Sequence, residues 1–381
     1  MLNRTLTLTD LTLFGVASIM GSGGFNLIGN GVRNGGAWWP LALALSSTLL
    51  MGSAWTYSSA YARFKSNTSE SDMIRSVLGV GAEKAGAIAI LIYNIVSMIV
   101  ILVICSQLIL PNGSWLGQTA LTVGLLATMA GLALLGIDVN KSIIGTSTWG
   151  LIGVLLVACG FSMWTGPVTL PTMVPAKSFV RSLWMFFFVL IGFDALMKFT
   201  QEAKGPSDIP TSFYLSNAIS IGLTCGVAAA VASWVHLTPG TEDMALESLF
   251  AVFMGSWTRG PFTALVIAFM LLTTFVVFLA TSRYLFGLGE KGGVLAPFAG
   301  ITDEKVPLVA ILSIFGMGAG VAAINHVNTL VMISDFGFSI IGGLVAAAAC
   351  VADWRDGLVG SALIDGGVAA GFVAMMMSAL V

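Results

Sequence analysis

Apolar stretches of about 20 residues, almost free of charge, succeed one another from one end of this 381-residue chain to the other. At about 1.5 Å of rise per residue, each is long enough to cross a hydrocarbon core of about 30 Å. No water reaches the backbone there, so each segment must satisfy its own N–H and C=O groups. The short alternating segments of a membrane barrel are absent, which leaves helices. Composition agrees: 57% of residues are hydrophobic, only 9% are charged, and the mean hydropathy is +0.95. A soluble globular surface is excluded, and an all-α integral membrane protein with several passes is expected.

About eleven transmembrane helices are expected, near 9–33, 37–62, 83–110, 117–137, 143–164, 180–203, 211–236, 262–289, 306–325, 328–352 and 358–381. The longest non-apolar connections, 66–81 and 236–261, read as loops, and no soluble domain is visible. The first ten residues lack the charged region, apolar core and small-residue site of a cleaved signal peptide, so the first span is expected to be retained. With the N-terminus cytoplasmic, twelve of the sixteen Lys and Arg residues fall on one side, Lys198 and Arg283 among them. Arg33, Lys177, Arg181 and Arg259 fall on the other, and this asymmetry sets the orientation. No basic run points to nucleic acid. Cys105, Cys159, Cys225 and Cys350 sit inside apolar segments at unrelated spacings and read as small buried side chains. Asn112-Gly113-Ser114 matches a glycosylation sequon and is taken as chance.

Two spans differ from the rest. In the first, Leu11 to Met20 runs into Gly21-Ser22-Gly23-Gly24 and the apolar pattern resumes at Phe25. In the sixth, Trp184 to Leu190 runs into Ile191-Gly192-Phe193-Asp194. The two lie five spans apart, and such a pair of interrupted helices points to a binding site between the halves of an inverted-repeat transporter. At each break helix N-termini offer N–H groups to an anion, and C-terminal ends offer carbonyls to a cation. The bland alternative is tight helix packing through small residues, which is how Gly316/Gly320 and Gly367/Gly371 are read.

The run from Gly15 to Phe25 resembles the first-helix motif of the amino acid-polyamine-organocation superfamily. Ile191-Gly192-Phe193-Asp194 followed by Glu202-Ala203-Lys204-Gly205-Pro206-Ser207-Asp208-Ile209-Pro210 is similar to that superfamily's sixth-span pattern. Ala280-Thr281-Ser282-Arg283 with Gly292-Gly293 and Pro307 is similar to its eighth-span region. The resemblance implies a LeuT-like fold of five-plus-five inverted repeats, here 1–165 and 178–352, with discontinuous helices 1 and 6 and an additional helix at 358–381. Members commonly carry twelve helices. It also implies alternating-access transport of amino acids or related amines. Carried over by position, the N–H groups of Ser22, Gly23 and Gly24 hold a substrate carboxylate, the carbonyls of Ile19 and Ile191 take its ammonium, and Phe188 is the aromatic lid. Gly24 stands where many members carry an apolar side chain.

Carboxylates inside a membrane are costly and mark candidate sites. Asp194 reads either as a cap on the resumed helix or as a gating and proton-sensing group. Asp335 reads as an interfacial residue or part of an outer vestibule, and Glu202 and Asp208, near the cytoplasmic end of the sixth span, as solvated, structural or gate-forming. Tyr93 and Asn94 lie within reach of the site, or bond between helices. No Lys occurs in the fifth span, where some proton-coupled relatives place one. Thr273 and Thr274, with first-helix carbonyls, form a candidate sodium site, against the commoner back-bonding of membrane Thr to its own helix. No cofactor is expected beyond sodium or proton coupling. No metal cluster, nucleophile triad or phosphate loop is expected, since Gly287-Leu288-Gly289-Glu290-Lys291-Gly292 follows a membrane helix and opens no strand–helix unit.

The expectation is a secondary transporter for an amino acid, by symport or exchange, and not an enzyme. A polyamine or organic-cation carrier is the nearest alternative, although it leaves the N–H groups of Ser22 to Gly24 unused. A non-transporting sensor or assembly subunit comes from another class, and an intramembrane enzyme ranks third. The partners expected are a small amino acid or amine and membrane lipid.

Overall fold

A computed structural model describes residues 2–20, 27–164, 166–237 and 244–378, with the side chains of Asn328, Asp335 and Ser378 excepted. The described residues form helices joined by turns and irregular connections, with no strand beyond one isolated backbone bridge between Leu6 and Ala203. In chain order the α-helices are α1 Leu8–Met20, α2 Ile28–Gly35, α3 Trp39–Phe64, α4 Ser69–Ile109, α5 Trp115–Ala133, α6 Ile137–Gly160, α7 Ala176–Leu190 and α8 Asp208–Trp234. They continue as α9 Ala245–Met254, α10 Arg259–Glu290, α11 Leu308–Ala322, α12 Val327–Arg355 and α13 Val359–Ser378.

Eight described helical segments are long and apolar enough to cross a membrane, α7 being counted together with the 3₁₀ turn that follows it to Phe199, and α1, α9 and α11 are shorter apolar helices. The protein is therefore a multi-pass membrane protein. α3 has the length, at 26 residues, but carries Ser, Thr or Tyr in nearly every turn and falls outside the eight. Large apolar side chains face outward on several helices, among them Leu116, Trp149 and Leu363. Such a surface suits hydrocarbon and would be an aggregation hazard in water.

Both long connections expected as loops contain helix. The polar run after Ser66 forms the first part of α4, and Gly79, at φ +83°, kinks the helix and separates this part from the apolar span. Its polarity is that of an amphipathic segment: Glu70, Ser71, Met73 and Ile74 are buried, while Arg75 and Ser76 are exposed. In the second connection, Ala245–Met254 folds as α9 and buries Leu246, Leu249 and Phe250. Apolar periodicity without the length to span explains both differences.

The core is organised by α1, α4, α7, α10 and α12. α1 packs against α8, α6 and α10, α4 packs along α12 and α10, and α7 lies against α2 and α3. Before α1, Leu6 is fully buried and pairs with the sixth-span tail: its N–H donates to Glu202 O at 3.0 Å and its carbonyl accepts from Lys204 N at 2.9 Å.

Candidate functional site

α7 ends at Leu190 because Ile191 turns extended (φ −71°, ψ 149°) and Gly192 adopts φ +132°. That dihedral favours glycine. Space demands it too, since a Cβ on Gly192 would lie 2.7 Å from the Ser18 carbonyl oxygen. The interruption in the sixth span thus stands directly against α1, two residues before α1 ends at Met20. The chain resumes as a 3₁₀ helix, Phe193–Phe199, without a side-chain cap. Gly21, Ser22, Gly23, Gly24 and Phe25 lie outside the described residues, as does the side chain of Asp335.

Beside this break is a small cavity of about 50 Å³ lined by Ser18, Tyr93, Asn94, Ser97, Phe188, Ile191, Gly192, Asp194, Thr273 and Phe338, among others. A larger cavity of about 520 Å³ adjoins it, mostly apolar, with Trp184, Met185, Asn30 and Glu247 in its wall. Phe188, Ser97, Ile101 and Ser334 line both. Phe188 therefore stands at the boundary between the two spaces. Ile191 and Asp194 line the small cavity, and Ile19 is buried in α1 near its end.

Asp194 does not cap the resumed helix. Its Oδ2 accepts from the Tyr93 hydroxyl at 2.5 Å and from Lys198 Nζ at 2.6 Å. Lys198 is fully buried, so its place is inside the bundle and not on the cytoplasmic flank. Its ammonium also approaches the Asp194 carbonyl at 3.4 Å and Glu70 Oε1 at 3.5 Å. Glu70 is buried as well, and its Oε2 has no hydrogen-bond partner among the described residues. Two carboxylates from different parts of the chain thus enclose one ammonium, the arrangement a low-dielectric interior requires of a buried cation. Tyr57, edge-on to Phe193 at 5.4 Å, has its hydroxyl buried in the same region with no partner among the described residues.

One turn further, Glu202 is also buried and not solvated. Arg283 of α10 grips it with two bonds of 3.2 Å, from Nε to Oε2 and from Nη2 to Oε1. The guanidinium stands 6.0 Å from the Phe199 ring centre, and Phe199 meets Phe14 of α1 edge-on at 5.3 Å. This pair ties α10, the sixth-span tail and α1 together, and Arg283, like Lys198, does not count towards a cytoplasmic flank. Asp208 is half-buried and accepts from Gly205 N at 2.8 Å.

The two threonines of α10 part company. Thr273 Oγ1 donates to the Ala17 carbonyl of α1 at 2.6 Å, whereas Thr274 Oγ1 donates to Met270 O of its own helix at 2.9 Å. Asn94 likewise bonds back, to Ile90 O at 2.8 Å, while its residue lines the small cavity. Among the described residues no cluster of three or more His, Cys, Asp and Glu side chains gathers to hold a metal ion.

Lys198 and Glu70 are the functional candidates that sequence reasoning missed. The signal for Lys198 was its i+4 spacing from Asp194 at a helix break. Glu70 gave no signal, because its partner is 128 residues away. Comparison of the chain with models of known protein families, and with curated proteins, finds no match.

Proposed function

We propose that this chain is a secondary active transporter of the amino acid-polyamine-organocation superfamily, moving an amino acid across a membrane by alternating access, as ion-coupled symport or exchange. The observation that carries the reading is the break at Ile191–Gly192, pressed against Ser18 of α1 beside a cavity that holds a buried carboxylate. Irregular backbone is tolerated at membrane depth only where it is enclosed by protein or lines a cavity, and transporters use such breaks to bind solute. Counting α1 with α2 as one span, and α7 with the 3₁₀ turn after it as another, gives eleven spans. Spans one to five (1–165) and six to ten (178–352) then form the two inverted repeats, with α13 added, and the N-terminus is cytoplasmic.

In this reading the N–H groups of Ser22, Gly23 and Gly24 hold the substrate carboxylate, the carbonyls of Ile19 and Ile191 face its ammonium, and Phe188 closes over it. The zwitterion is favoured over a polyamine because both ends of the break are then used. For coupling, a proton or exchange cycle is favoured over sodium. The Lys198 ammonium already supplies a fixed cation between Asp194 and Glu70, and Thr274 is turned to its own helix.

Purified protein in liposomes tests the reading. Accumulation or counterflow of a labelled amino acid, found by a thermal-shift screen of amino acids and amines, supports it. Binding without flux establishes a sensor, and competition by putrescine with no amino acid flux establishes a polyamine carrier. Replacing sodium by choline is expected to leave uptake unchanged.

A further inference from the structure

The last described helix carries a further buried ionisable site, outside the proposed solute site. α13 packs chiefly against α12 and α3, and Asp365 is its one ionisable residue among those described, fully buried two turns from the helix start. Thr56 of α3 donates to Asp365 Oδ1 at 2.6 Å. Across from it, in the last turn of α12, Asp353 is 1% exposed. Its Oδ1 accepts from Arg63 Nη2 at 2.5 Å and from Ser59 Oγ at 3.4 Å. The remaining oxygens, Asp353 Oδ2 and Asp365 Oδ2, have no donor among the described residues, and one face of α3 gathers the two carboxyl groups, through Thr56 for Asp365 and through Ser59 and Arg63 for Asp353.

Charge counting sharpens this. The charged groups facing Asp365 are Asp353 from α12 and Arg63 from α3. Arg63 is itself shared, because its Nη1 binds the exposed Asp356 at 2.6 Å. The Cys350 thiol lies alongside Gly366 and adds no charge. Asp335 stands about five turns earlier on α12, by the 1.5 Å rise of a helix. One guanidinium is therefore set against three carboxyl groups, two of them buried. Two like charges buried side by side cannot both persist, and such pairs hold one proton between them.

We propose that Asp365 and Asp353 form a proton-binding site in which one proton, carried on Asp365 Oδ2 and donated to Asp353 Oδ2, fastens α13 to α12 and α3. A metal ion is a poorer occupant, since only two oxygens there lack donors and a hard cation takes about six. With the proton in place the contact is a neutral hydrogen bond, and without it two carboxylates repel each other. The proton's contribution to stability is therefore present at low pH and is lost as pH rises through the titration of the site. Arg63 and Asp356, at the exposed end, give the proton a route to solvent.

The test uses the full chain in nanodiscs. At neutral pH, infrared spectra are expected to show a protonated-carboxyl C=O band that titrates away at alkaline pH and is missing from Asp365→Asn. That variant keeps the Thr56 bond and gains an amide donor towards Asp353, so it is expected to fold with wild-type stability and to lose the fall in Tm that the wild type shows as pH is raised. The proposal is overturned if Asp365→Asn removes no carboxyl band, if both proteins show the same pH slope, or if wild-type Tm at fixed pH follows sodium or potassium concentration. The last outcome identifies a metal cation in place of the proton. None of these readouts depends on solute transport.

Discussion

Removing the Lys198 ammonium is the perturbation with the largest expected effect on the core. Nζ stands 2.6 Å from Asp194 Oδ2 and 3.5 Å from Glu70 Oε1. With an effective dielectric constant of about 20, those separations correspond to attractions of roughly 6 and 5 kcal/mol. Desolvation of three charges offsets most of this, so the pair's net worth is small while its breakage is costly. Lys198→Met is expected to destabilise the protein by about 3–5 kcal/mol, the penalty for stranding a buried charge. Adding Asp194→Asn removes the nearer stranded carboxylate and keeps an acceptor for Tyr93. The double variant is then expected to be more stable than the sum of the single effects predicts, by about 2 kcal/mol. Glu70→Gln alone is expected to cost less than Asp194→Asn, because its contact is longer. Denaturant unfolding in mixed micelles, followed through the ten tryptophans, measures the wild type and all four variants. Wild-type stability in Lys198→Met, or strict additivity in the double variant, would refute the assignment of Lys198 as the hub of this cluster.

Other predictions concern the break and its neighbours. Gly192→Ala puts a Cβ 2.7 Å from the Ser18 carbonyl at φ +132°, so uptake is expected to fall severely and the thermal midpoint with it; wild-type values for both would show that the break relaxes freely. Tyr93→Phe removes a hydrogen bond to a charged group, worth about 1.5–3 kcal/mol, and is expected to shift the pH profile of uptake; an unchanged profile separates Tyr93 from proton handling. Gly23→Leu is expected to block uptake while leaving membrane insertion intact, and normal uptake would mean that the small-residue run serves packing. Thr273→Ala is expected to lower stability more than Thr274→Ala, since only Thr273 joins α10 to α1; equal thermal midpoints would contradict this.

Helical class, membrane character and the sixth-span interruption were legible in the sequence because each has a local cause. Apolar length defines a span, and Ile191-Gly192 breaks one. The charge networks were not legible, because their partners are distant in the chain. Glu202 meets Arg283 across 81 residues, and Lys198 meets Glu70 across 128. Read singly, each looks like a polar residue at a helix end. Glu70 was hidden further, since a polar run before a long apolar span resembles a loop until the amphipathic spacing of Met73 and Ile74 is placed on a helix that bends at Gly79. Asp194 was legible as a special residue but not in its role, because a cap and an ion pair place the same side chain at the same helix end.

The pairing of Leu6 with the residues flanking Ala203 bears on how the protein can be handled. The leading segment is stitched by two backbone bonds to the stretch that carries Glu202, and both Leu2 and Leu6 are buried. An affinity tag or fluorescent fusion placed directly before Leu2, or trimming of the first six residues, would pull on the Glu202–Arg283 clasp. Labels for purification or imaging belong in the exposed turn at Asp303–Lys305, clear of that seam.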